Sequence, residues 1–201
     1  MTAKTNKILS AVVAIALIAA VAVLMYVNLP RQTNAPSGNT NGQNTTSSIF
    51  SITYGDKQTN FTLSELVDLP SYTAKGGYRT QSGFIKGLGN YTGVTITTLV
   101  DTFHIGPFLY SLKVISENGN TTYNYSTILG NVDIYNPDNA SDPNPIGKGN
   151  MTMVLAYKYE GNWLNESTDG KLKIVFLDEK GSITRASLWW KKVISIKIIT
   201  E

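Results

Sequence analysis

Residues 49–201 read as an α+β domain dominated by strands and mixed in pairing, following one N-terminal transmembrane helix. Three observations lead there. From Ile49 onward the chain is cut into short runs in which apolar and polar residues alternate, the period of a strand with one buried face. Only two segments combine helical apolar spacing with a capping residue. The twenty residues from Ile8 to Val27 are apolar except for Ser10, and at ~1.5 Å per residue they match the roughly 30 Å hydrocarbon layer of a bilayer.

The N-terminal part sets the compartment. Lys4 and Lys7 precede the apolar stretch and Arg31 alone follows it. The positive-inside bias therefore predicts residues 1–7 in the cytoplasm, a signal-anchor at 8–29 in the cell membrane, and everything later outside. The alternative is a cleaved signal peptide, since Ala14-Ile15-Ala16 and Ala20-Val21-Ala22 resemble small-residue cleavage sites. The stretch is longer than a usual signal core of about 7–15 residues, and either route leaves the domain extracytoplasmic. Residues 30–48 are mostly Asn, Thr, Ser, Gly and Gln, too polar to offset the entropy of folding, and read as a flexible tether.

Eight asparagines head Asn-x-Ser/Thr triplets: Asn44, Asn60, Asn90, Asn120, Asn124, Asn139, Asn150 and Asn165. A chain so rich in Asn, Ser and Thr forms such triplets by chance. The functional reading is surface N-glycosylation, which with the absent cysteines suits an archaeal-type surface glycoprotein.

Within the domain, Phe50, Ile52 and Tyr54 alternate with polar residues, Gly55-Asp56-Lys57 turns, and Thr59 to Phe61 returns as a hairpin. Thr62 or Ser64 caps a helix with Leu63, Leu66 and Val67 on its apolar face, stopped by Pro70. Gly76, Gly77, Gly83, Gly87 and Gly89 mark the next stretch as loop. Thr98 to Phe103 forms a short helix with Leu99, Val100 and Phe103 inward. Strands follow at Leu109–Ser116 and Thr121–Tyr125 about an Asn-Gly turn, then at Met151–Tyr159, Lys171–Leu177, Ile183–Leu188 and Val193–Ile199.

Charge and composition exclude several chemistries. The 17 Lys and Arg against 14 Asp and Glu leave a net charge of +3. All 14 acids lie from Asp56 onward, while Lys4, Lys7 and Arg31 precede it, so the domain itself is neutral. It lacks the clustered cations that nucleic acid requires. Without cysteine there is no disulfide, thiolate metal site or nucleophilic thiol. His104 is the only histidine, which excludes a histidine pair for zinc and reads as a helix-end side chain. Asp133, Asn136, Asp138, Asn139 and Asp142 offer oxygen ligands of the kind calcium takes, in a spacing that matches no EF-hand loop; the competing reading is an irregular solvated loop. Trp163, Trp189 and Trp190 suggest a ring-stacking platform, although adjacent tryptophans on one strand face opposite sides.

The order of these pieces resembles the sulfite-oxidase-type oxidoreductase molybdopterin-binding domain. The resemblance runs through Phe61-Thr62-Leu63-Ser64-Glu65-Leu66 to Leu69-Pro70, Tyr91-Thr92-Gly93-Val94 with Leu99-Val100, Leu155-Ala156-Tyr157 with Glu160-Gly161 and Leu164, Leu172-Lys173-Ile174-Val175, and Trp189 to Ile198. It covers residues 49–201 nearly whole. It implies a cofactor groove where Tyr78, Arg79, Gln81, Ser82 and Lys86 would lie, with Arg79 as its one fixed cation. It also implies a molybdenum-ligating cysteine before the Gly-Val pair, where this chain has Thr80-Gln81-Ser82. An amide or hydroxyl does not replace a thiolate as a soft ligand. The expectation is a membrane-anchored, non-catalytic module holding a small ligand or protein partner in that groove, with no catalytic residue, no metal and no cofactor. The alternatives are an oxidoreductase domain that binds molybdopterin without the cysteine, and a structural surface glycoprotein.

Overall fold

The computed structural model describes residues 47–105, 109–138 and 142–200. The expected membrane helix at 8–29 and nearly all of the tether lie outside them. Among the described residues no helix is long and apolar enough to cross a membrane.

The chain opens with the expected hairpin, β1 (Phe50–Tyr54) and β2 (Lys57–Phe61), followed by α1 (Leu63–Asp68). Thr62 caps α1 reciprocally with Glu65: Thr62 Oγ1 accepts from the Glu65 backbone N–H, and Glu65 Oε2 accepts from that of Thr62 at 2.7 Å. Such a box satisfies two otherwise orphan donors. Leu66 is fully buried, whereas Val67 of the expected apolar face is exposed.

The glycine-rich stretch is not a loop. It forms β3 (Ser71–Arg79) and β4 (Ile85–Thr95), an antiparallel pair whose connection is only 80–84. Gly83 turns that connection with a φ of 87°, whereas Gly76, and Gly93 further along β4, serve close strand approach. A Cβ on Gly76 would lie 2.6 Å from the Phe176 carbonyl oxygen, and one on Gly93 would lie 2.5 Å from the Ala156 Cα. Glycine inside a strand commonly marks such a contact.

After α2 (Ile96–Asp101) come β5 (Tyr110–Ser116), β6 (Gly119–Tyr123) and a one-turn α3 (Tyr125–Ile128) capped by Asn124. The Asn- and Pro-rich segment expected to be irregular holds a further hairpin, β7 (Asn131–Ile134) with β8 (Gly147–Asn150). The remaining strands are β9 (Thr152–Tyr159), β10 (Asn162–Trp163), β11 (Lys173–Leu177), β12 (Ile183–Arg185) and β13 (Val193–Thr200). The expected strand over 183–188 is shorter, because residues 186–188 turn into a 3-10 helix.

Two sheets organise these strands. One runs β2-β1-β13-β5-β6, the other β10-β9-β4-β3-β12, with β11 also paired to β9. In β5 every second residue is buried, as expected for a sheet with one covered face. β11 is buried throughout, because both its faces are covered. Ile174 and Phe176 enter the main core with Leu112, Val114, Leu155 and Ile196, while Val175 and Leu177 enter a second core with Tyr91, Val154 and Trp189. The end of β11 returns to β3 through a Lys75–Asp178 bridge, so the second sheet curls around the second core.

The two adjacent tryptophans occupy no common strand. Trp189 follows the 3-10 helix into the second core, and Trp190 packs against the main core. With Trp163 exposed on β10, the three form no shared platform. His104 ends the α2 segment, exposed, its Nδ1 3.0 Å from the Asp101 carbonyl oxygen.

Candidate functional site

β3 and β12 run parallel, and their last residues, Arg79 and Arg185, are direct register partners. Two arginine residues are thus neighbours at one end of the second sheet. Tyr135 joins them, because its backbone N–H donates to the Ile183 carbonyl at 2.8 Å, fixing the residue against β12. Arg185 Nε donates to the Tyr135 hydroxyl. The two guanidinium carbons lie 5.8 Å (Arg79) and 5.9 Å (Arg185) from the Tyr135 ring centre, near the outer limit of cation–π attraction.

Between these side chains is a cavity of about 480 Å³ lined by Arg79, Thr80, Gln81, Tyr135, Arg185 and Ser187, among others. Its described lining residues include no acid. Asp133 sits behind, bridged to Lys148 at 2.7 Å and to Arg185 at 3.5 Å. The Lys148 hydrogen bond holds the Asp133 carboxyl below its ordinary value. The Tyr135 hydroxyl, followed by Asp133, raises the pKa of Arg185, so this guanidinium stays charged. Arg79 and Arg185 both line the cavity and bring to it planar N–H donors of the kind suited to an oxyanion.

Of the residues expected at the groove, Arg79 and Gln81 line the cavity, whereas Ser82 and Lys86 do not. Lys86 stands opposite Tyr78 on β4. Arg79 is therefore not the only cation there: Arg185 is the second, and it was missed because its partnership depends on a distant strand pairing. No sequence signal singled it out: the position immediately before Trp189 is Leu188, and Arg185 lies four residues before that tryptophan. Thr80 has a local task, since its Oγ1 accepts from the Phe84 N–H at 3.0 Å and closes the β3–β4 connection.

Behind the cavity Tyr78 turns into the second core. There Lys173 Nζ lies 5.4–5.7 Å from the ring centres of Tyr78, Tyr91 and Trp189 and 2.9 Å from Asp169 Oδ1. Burial depresses the Lys173 ammonium's pKa against the opposing pull of Asp169. The Trp189 indole donates to Thr184 Oγ1 at 2.7 Å, one residue before Arg185. This aromatic box anchors the strands that present both arginines.

The donor set does not fit a molybdenum centre. Thr80 and Gln81 occupy the cavity wall in the segment where the ligating cysteine is expected, and no soft ligand replaces it. The calcium reading finds no support among the described residues. Asp133 is committed to Lys148 and Arg185, Asn136 and Asp142 accept from nearby backbone N–H groups, and among the described residues no three His, Cys, Asp or Glu side chains are placed to share a metal ion. Asn139 lies outside them.

No protein-family model matches the chain, and no curated protein matches it. The fold is distantly that of the sulfite-oxidase-type molybdenum enzymes. The likeness is carried by the solved structure of the sulfane dehydrogenase SoxCD from Paracoccus pantotrophus, with a TM-score of 0.51 and 15% sequence identity, covering 75% of this chain. The match spans 37% of the SoxCD chain, and at this identity it speaks for the fold alone.

Proposed function

We propose that residues 49–201 form an extracytoplasmic, non-catalytic binding domain, anchored by the N-terminal apolar segment, that holds a small oxyanion-bearing ligand between Arg79 and Arg185. The observation that carries this reading is the parallel pairing of Arg79 with Arg185 at one cavity, whose described lining residues include no acid. Two guanidinium groups offer bidentate hydrogen bonds to a phosphate, sulfate or carboxylate, and Tyr135 supplies a ring against which a planar ligand rests. The missing thiolate supports the non-catalytic part.

The fold favours one second reading, a pterin-type cofactor held by its phosphate on the same arginines without a cysteine ligand. One preparation separates the two. The full chain, purified from a host that makes molybdopterin, is assayed for molybdenum and released pterin, and then titrated calorimetrically with inorganic phosphate. The binding module predicts neither metal nor pterin, and phosphate heat that disappears in Arg185→Ala. Stoichiometric molybdenum or pterin would establish the second reading instead, and absence of phosphate heat would count against the site itself.

A further inference from the structure

Asn165 differs from the other seven sequon asparagines in one respect: the residue two positions before it is aromatic, Trp163. The structure gives that spacing a shape. Trp163 ends β10, paired across to Lys158 of β9. Leu164 is buried between two exposed neighbours, Trp163 and Asn165. In extended chain, residues two apart share a face, so the indole and the Asn165 amide point outward together while Leu164 points in.

Asn165 is also held in a defined pose. Its Oδ1 accepts from the Ser167 N–H at 3.0 Å and the Ser167 hydroxyl at 2.6 Å, and its carbonyl accepts from the Asp169 N–H at 2.8 Å. Both side-chain bonds use Oδ1. The Nδ2 atom, to which a sugar is attached in N-glycosylation, takes part in neither, so modification leaves the turn intact.

Trp163 is 54% exposed, a large apolar surface to leave in water. The Lys158 ammonium lies 4.7 Å from its ring centre. Beside the ring is a cavity of about 290 Å³ lined by Leu63, Tyr157, Trp163, Leu164, Glu166 and Lys171. It combines two aromatic rings with a carboxylate and an ammonium, which is the chemistry that receives one sugar unit: C–H groups against the ring face and hydroxyls to the charged rim. We infer that Asn165 is an N-glycosylation site whose first sugar folds back onto Trp163 and fills this cavity.

This inference rests on the extracytoplasmic placement of the domain, and the test separates the two. The full chain is produced in a host that N-glycosylates exported proteins, and occupancy is read by peptide mass spectrometry at Asn165 and at Asn60, Asn90, Asn120, Asn124 and Asn150. The proton spectrum of the Asn165 sugar is then compared among the parent, Trp163→Phe and Trp163→Ala. The expected result is occupancy at Asn165, with ring-current upfield shifts of the first sugar's protons that persist with Phe and vanish with Ala. Glycans at other sequons but none at Asn165 would overturn the inference while leaving export standing. So would an occupied Asn165 whose sugar shifts are unchanged in Trp163→Ala. No glycan anywhere would overturn both.

Discussion

Replacing Asp169 by Asn should destabilise the domain through one buried ammonium. The Lys173 side chain is only 4% exposed and that of Asp169 22%, with Nζ 2.9 Å from Oδ1; Lys191 reaches the same oxygen at 3.1 Å. Removing the carboxylate leaves two cations facing each other, one of them enclosed by Tyr78, Tyr91 and Trp189. Breaking a buried ion pair by deleting one partner costs about 3–5 kcal/mol. At ~2–4 °C per kcal/mol for a domain of this size, Tm should fall by roughly 6–20 °C. Lys173→Met should be near neutral, because an apolar stem suits the aromatic box and Asp169 keeps Lys191; the double variant should recover most of the loss. Thermal unfolding followed by near-ultraviolet circular dichroism reads all three. A fall of under ~2 °C in Asp169→Asn, or a Lys173→Met variant as damaged as Asp169→Asn, would show that the buried ammonium does not depend on Asp169 in this way.

Alkaline pH should destabilise the fold. Burial raises the phenol pKa of Tyr91, Tyr123, Tyr110 and Tyr157, so above about pH 10 the unfolded chain loses phenolic protons that the folded one keeps, and stability falls as pH rises. Lys173, with its lowered pKa, acts in the opposite sense, gaining stability between its folded value and that of a free lysine. Four tyrosines outweigh it, and denaturant midpoints at pH 8 and pH 10.5 give the sign. Gly93→Ala should unfold or severely weaken the domain, since its Cβ would press on Ala156 Cα; a loss under about 1 kcal/mol in urea melts would contradict the close approach of β4 and β9. If the domain lies outside, as the positive-inside bias of Lys4 and Lys7 predicts, protease added to intact cells should digest it without lysis; protection until lysis would reverse the topology.

The sequence showed the strands most clearly where one face alone is covered. β1 and β5 lie where the pattern put them, and β5 buries every second residue. It misled at β3 and β4, where glycines that usually break structure instead let Gly76 and Gly93 approach neighbouring backbone. It also misled at β7 and β8, whose Asn-rich composition resembles loop although their pairing spans Asn131 to Asn150. At the site, Arg79 and Gln81 were legible through the family resemblance. Arg185 and Tyr135 were not, because what joins them to Arg79 is a parallel register and an isolated bridge between segments far apart in the chain. No local period encodes such a meeting.

If Arg79 and Arg185 act together on one oxyanion, their guanidinium signals must respond to it jointly. The most direct measurement follows the two arginine Nε–Hε signals by NMR during a phosphate titration of the full chain, with Arg79→Ala and Arg185→Ala as assignments and controls. Both signals should move along a single saturation curve, and either substitution should abolish the movement of the other while changing stability by only about 0.5 kcal/mol or less. Two signals that stay still, or that move independently of one another, would contradict joint action.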